Sequence, residues 1–119
     1  MTAKSFHLKR VYEAPDEADG YRVLVDRLWP RGLTKAKARV DLWLKDVAPS
    51  DDLRKRFHHD AAKWKDFVAA YDKELAGPAA KAAKTMLCGR LREGPVTLLY
   101  AARDEEHNNA VALKIWLER

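Results

Sequence analysis

Short apolar runs and longer helical stripes take turns along the chain, and that alternation predicts an α/β domain. Phe6, Leu8 and Tyr12 alternate with polar neighbours over residues 6–12, which suits a strand with one buried face. Residues 13–20 contain a proline, a glycine and four acids, so they are expected to form a surface connection that adds nothing to the core. Residues 21–27 are the centre of the pattern. Val23, Leu24 and Val25 have the unbroken apolar character of a buried strand, and Asp26, Arg27 and Arg31 crowd charge just past the point where burial should end.

Thr34 is placed to cap a short helix over residues 35–38, and a further strand is expected over residues 40–47 with Leu42, Trp43 and Leu44. The unit reads as a compressed βαβ crossover, near the lower length limit for parallel pairing. Pro49 and Ser50 then open a helix in which Asp51 and Asp52 suit the positive end of the dipole and Leu53 and Phe57 face inward. Asp60 is a candidate cap for the most regular helix of the chain, with Trp64, Phe67, Val68, Tyr71 and Leu75 on its inward face and Gly77-Pro78 as its stop. Pro78 also suits the first turn of a new helix through residue 91, with Ala83, Met86, Leu87 and Leu91 inward. Residues 96–101 form another strand after Gly94-Pro95. A last helix is expected from about Glu105, with Ala110, Leu113 and Leu117 buried and Val111 on the flank.

These elements predict one domain over residues 1–119: a small Rossmann-like three-layer α/β fold, with a mostly parallel sheet of about four strands and flanking helices. The pattern leaves open whether the first strand pairs parallel or antiparallel.

Composition narrows the function classes. No run approaches the roughly 20 apolar residues that cross a bilayer, residues 1–10 lack the apolar centre of a signal peptide, and a lone Cys88 excludes an intrachain disulfide. These features point to a cytoplasmic protein with no membrane partner. The net charge of +5 favours anionic partners, but lysines, arginines and acids are interleaved along the chain, so nucleic acid ranks behind a small anionic molecule. Neither a cofactor nor an oligomeric state is implied.

In an open parallel sheet, ligands bind beyond the carboxyl ends of the strands. Those ends carry Asp26 to Gly32, Ser50 with Arg54, and Arg103 to Asn108. Arg27, Arg31 and Arg54 are candidate anion ligands. Gly32 would let backbone approach a ligand, Ser50 adds a helix start, Asn108 adds an amide, and Trp29 offers a stacking surface. Asp26 and Asp104 are candidate general bases and His107 a candidate acid or base. Each also has a structural reading, as an ion pair, a helix cap or a solvated first-turn residue, and it is their clustering that argues for a site. His58-His59-Asp60 is a poor metal motif, because adjacent histidines project differently and no second pair stands nearby, so no metal is expected. Cys88, mid-helix among apolar residues, reads as core filler.

The run Asp26-Arg27-Leu28-Trp29-Pro30-Arg31-Gly32 is followed by Ala48-Pro49-Ser50 with Leu53-Arg54, and then by Phe57, Trp64, Phe67, Tyr71 and Glu74-Leu75. Leu98-Leu99-Tyr100-Ala101-Ala102 with His107-Asn108 completes the set. Together these resemble the YeaO-like branch of the domain-of-unknown-function-488 family, over nearly the whole chain. The resemblance implies a small cytoplasmic α/β protein whose activity is not established. The wider family places Asp-Val-Arg where Asp26-Arg27 stand, and often carries a late Cys-His-Arg motif. Here His107-Asn108-Asn109 stands in that place, so no role of the family's cysteine carries over. The leading expectation is an enzyme or ligand-binding domain for a small anionic, nucleotide-like molecule. Its alternatives are a nucleic-acid-binding protein and a non-catalytic interaction module.

Overall fold

The computed structural model describes residues 5–58 and 60–119. His59, one of the paired histidines, lies outside them. The strands are β1 (His7–Arg10), β2 (Tyr21–Leu24), β3 (Leu42–Trp43) and β4 (Val96–Tyr100), in sheet order β1-β4-β2-β3 with every pairing parallel. The first strand is therefore parallel to its neighbour, and the crossover between β2 and β3 closes despite its length. The helices are α1 (Lys35–Ala38), α2 (Asp51–Phe57), α3 (Trp64–Glu74), α4 (Pro78–Glu93) and α5 (Asn109–Leu117).

The layers are unequal. Val23, Val25, Val96 and Leu98 pack on one face of the sheet against Leu53, Phe67, Tyr71, Leu87 and Leu113, so α2 to α5 all share that face. Leu24 and Leu99 face the other way, onto Val11 and Ala38 with Trp29, Leu33 and Trp43 around them, which leaves α1 as the thin third layer. The unbroken apolar run in β2 exists because both of its faces are covered.

Several expectations are corrected. The strand predicted over residues 40–47 shrinks to Leu42–Trp43, because a 3₁₀ turn over Lys45–Val47 takes over. Tyr12 leaves β1 and is exposed; Val11 takes the buried position instead. Met86 sits at the exposed edge of α4, whose buried stripe runs through Ala80, Ala83, Leu87 and Leu91. Trp64, at the start of α3, is half-buried. The connection over residues 13–20 does contribute to the interior: a 3₁₀ turn over Glu17–Asp19 buries Asp19 between Lys9 and Arg22. Gly20 follows it with φ 65°, and a Cβ there would meet the Pro95 carbonyl oxygen at 2.2 Å, so only glycine allows this loop to lie against the start of β4.

At the sheet edge, two amides that point away from β4, one just before β1 and one at its end, are met by carboxylates. Phe6 N–H donates to Glu118 (3.0 Å) and Arg10 N–H to Glu13 (3.1 Å).

Candidate functional site

Beyond the carboxyl ends of β2, β3 and β4 lies a cavity of about 350 Å³, a size suited to a small molecule. The loop after β2 contributes Asp26 to Arg31, the segment after β3 contributes Pro49, Arg54 and Phe57, and the loop after β4 contributes Ala101, Ala102 and Asn109. Of the predicted stretches, Asp26 to Arg31 and Arg54 line the pocket directly, whereas none of Arg103 to Asn108 does; only the flanking Ala101, Ala102 and Asn109 reach it. Its apolar wall includes Phe57 and Phe67, stacked with ring centroids 4.4 Å apart, and Trp29, which is edge-on to Trp43 at 5.5 Å. Leu28 and Arg31 are exposed at the mouth.

The acid–base candidates are tied down. Asp26 accepts from the Ala101 amide (3.0 Å) with one oxygen and from the Asn109 carboxamide (2.9 Å) with the other, so its carboxylate bridges β2 to the loop after β4. Asn109 is the residue that sequence reasoning missed. It also donates to the Val25 carbonyl (2.9 Å), and its position one residue inside α5 was hidden by the expectation that the helix starts near Glu105. The helix instead starts at Asn109, because Asn108 caps it by accepting from the Val111 amide. Asn108 is fully buried and donates to the Asp104 carbonyl (2.8 Å), which makes it a structural residue and not a ligand contact.

Asp104 and His107 pair with each other, Oδ2 to Nδ1, at 3.0 Å, and neither lines the cavity. Hydrogen bonds from the Glu106 and His107 amides, then from the His107 ring, hold the Asp104 carboxyl below the usual carboxylate range. The His107 ring stands edge-on to Trp64 at 5.4 Å, behind the aromatic wall.

The arginines and their neighbours divide. Arg27 donates to the Pro49 and Ala48 carbonyls (3.0 Å each) and so holds the loop after β3 in place. Ser50 caps α2, but the expected anion-friendly helix start is already taken: Glu74 accepts from both the Ser50 amide and its hydroxyl. Gly32 has φ 82° and does not line the cavity, so glycine serves the turn and not the approach of a ligand. Trp29 lines the cavity while its indole N–H donates to the Leu33 carbonyl (2.7 Å). Arg54 lines the rim and pairs with Asp51 at 2.9 Å, both well exposed. The Arg31 guanidinium makes no hydrogen bond or ion pair among the described residues, although the Arg31 carbonyl accepts from the Tyr12 hydroxyl (2.9 Å). Among the described residues no group of three or more His, Cys, Asp or Glu side chains is placed to hold a metal.

Residues 5–119 match the family model described as the inactive DUF488-N3 subclade. The chain belongs to that subclade. It is 41% identical to the uncharacterized protein YeaO of Escherichia coli over 109 residues, covering 92% of this chain and 93% of YeaO. It is also 45% identical to the uncharacterized protein Rv3073c of Mycobacterium tuberculosis over 104 residues, covering 87% of this chain and 86% of that protein. No solved structure matches the DUF488-N3 chain. No helix among its described residues is long and apolar enough to cross a membrane.

Proposed function

We propose that the protein binds a small anionic molecule with a planar or apolar body in the cavity beyond β2, β3 and β4, and that it acts by binding and not by acid–base catalysis. The observation that carries this reading is the pairing of two accessible guanidinium groups, Arg31 and Arg54, with an aromatic wall of Trp29, Phe57 and Phe67 around one cavity. A guanidinium gives a carboxylate or phosphate charge-assisted bonds, while the wall shields them from water. Asp26 supports the non-catalytic side of the reading. Both of its carboxylate oxygens are engaged, one by the Ala101 amide and one by the Asn109 carboxamide, so the group is placed to hold the loop after β4 against β2. The description of the subclade as inactive agrees. The single cysteine fits a cytoplasmic setting.

A thermal-shift screen of nucleoside monophosphates, inorganic phosphate and small dicarboxylates tests the proposal. A hit should raise the melting temperature of the parent protein and lose most of that rise in Arg31→Ala/Arg54→Ala. A hit that stabilises parent and double variant equally binds elsewhere and overturns the reading.

A further inference from the structure

Acids and bases are interleaved over most of the chain, but the stretch between Asp26 and Asp41 is an exception. Residues 27–40 contain Arg27, Arg31, Lys35, Lys37 and Arg39 and no acid. Folding spends Arg27 on backbone carbonyls and leaves Arg31, Lys35, Lys37 and Arg39 exposed. The expectation of a uniformly mixed surface therefore fails on this segment, as it does on residues 75–92, which carry Lys81, Lys84, Arg90 and Arg92 and no acid.

The geometry turns that segment into a track. A second, more open cavity of about 530 Å³ is lined by Val11, Tyr12, Glu13, Leu33, Lys37 and Arg39, with the one acid among them, Glu13, engaged by the Arg10 amide. Tyr12 lines both this cavity and the one beyond β2, so the two adjoin across its ring. Two observations place the ring as a platform. Its hydroxyl is anchored to the Arg31 carbonyl, and the Arg10 guanidinium lies 5.2 Å from its centroid while 42% of the residue remains exposed. Arg10 is itself fixed by bonds to the Ala101 and Ala102 carbonyls, which gives the platform a rigid back.

We infer that the groove running from Lys37 and Arg39 across Tyr12 to Arg31 docks single-stranded nucleic acid, with phosphates along the cations and a base stacked on the Tyr12 ring. Spaced cations beside an accessible aromatic are what a flexible strand of phosphates and π-faces requires, whereas a duplex hides its base faces. A chain of phosphates without bases would use the cations but gain nothing from the ring. The inference does not depend on the small-anion reading, because Lys35, Lys37 and Arg39 do not line that cavity.

The test is fluorescence anisotropy with a labelled single strand of about 12 nucleotides, long enough to follow one such groove. Four results are expected together. Binding weakens roughly 20-fold between about 50 and 200 mM salt, as for neutralisation of about three phosphates on a single strand. Lys35→Glu/Lys37→Glu, both exposed positions, weakens binding at least tenfold while keeping its thermal transition and any small-anion stabilisation. Tyr12→Ala weakens it about fivefold or more, as loss of one stacked base does. Tyr12→Phe, which keeps the ring and loses only the hydroxyl bond, binds as the parent does. Absence of binding at low salt overturns the inference, as does binding untouched by the double lysine variant. Inorganic polyphosphate competing equally well, with Tyr12→Ala silent, also overturns it, since the surface would then read charge alone.

Discussion

Two sets of arginines in this domain meet opposite fates. Arg10, Arg22 and Arg27 each turn the guanidinium fork onto a pair of backbone carbonyls: Ala101 and Ala102, Ala38 and Arg39, Ala48 and Pro49. Arg31 and Arg54 meet no backbone carbonyl among the described residues, and they stand at the cavity rim. Arg10 and Arg27 clamp loops that line the cavity, Arg22 clamps the turn before β3, and the second set is left to meet what enters the cavity. A planar donor with fixed geometry suits both tasks, so residue type alone does not separate them; the carbonyls left over where loops replace strands do.

The comparison can be broken most severely at Arg22. It is buried, pairs with Asp19 and holds the αL turn at Arg39, so Arg22→Ala should cost about 3 to 5 kcal/mol by leaving two carbonyls without a donor and the buried Asp19 carboxylate with Lys9 as its remaining cation. Urea melts check this; a loss under about 1 kcal/mol would show that water replaces the clamp. Arg27→Ala should be milder, about 1 to 3 kcal/mol for two carbonyls near the surface. It should also weaken ligand stabilisation by letting the loop after β3 drift, an effect that ligand-dependent melting would reveal.

Acid sharpens the Arg22 side. Burial raises the Asp19 carboxyl, but the amide of the Asp16 turn and the contacts with Lys9 and Arg22 outweigh it and hold the group below its ordinary value of 3.8. A depressed folded value means that this contribution is complete above the unfolded value and is lost as pH falls through the folded one. Stability measured from pH 5 downward should therefore drop, and Asp19→Asn should flatten that limb. An unchanged acid limb in the variant would assign the drop to other carboxylates. The smallest stability effect belongs to Arg31→Ala, within about 1 kcal/mol, against roughly tenfold or more in affinity for a small anion. Early melting without ligand would move Arg31 into the clamping set.

Sequence pattern carried the order of elements and the caps at Thr34 and Ser50, because capping and burial are local signals; Asp60, expected to cap α3, instead caps the 3₁₀ turn over Ala61–Lys63 that leads into it. What it missed depended on distant partners. Asp19 looked like solvent-facing turn material, and its burial follows from Lys9 on β1 and Arg22 on β2, the two strands that flank β4. Ser50 looked like an open anion site, and its occupant, Glu74, comes from the far end of α3. Asn109 was masked by the acids before it, since Asp104 to Glu106 resemble a helical first turn while folding instead into the loop that Asp104 closes.

The carboxylates of Glu13 and Glu118 at the free side of β1 bear on how copies of the chain meet. A sheet edge is a template, and a strand arriving from another molecule would have to displace both acids before it could bond the amides of Phe6 and Arg10. The obstacle at those two positions is chemical and not bulk, since each acid already takes the donor that an incoming carbonyl would need.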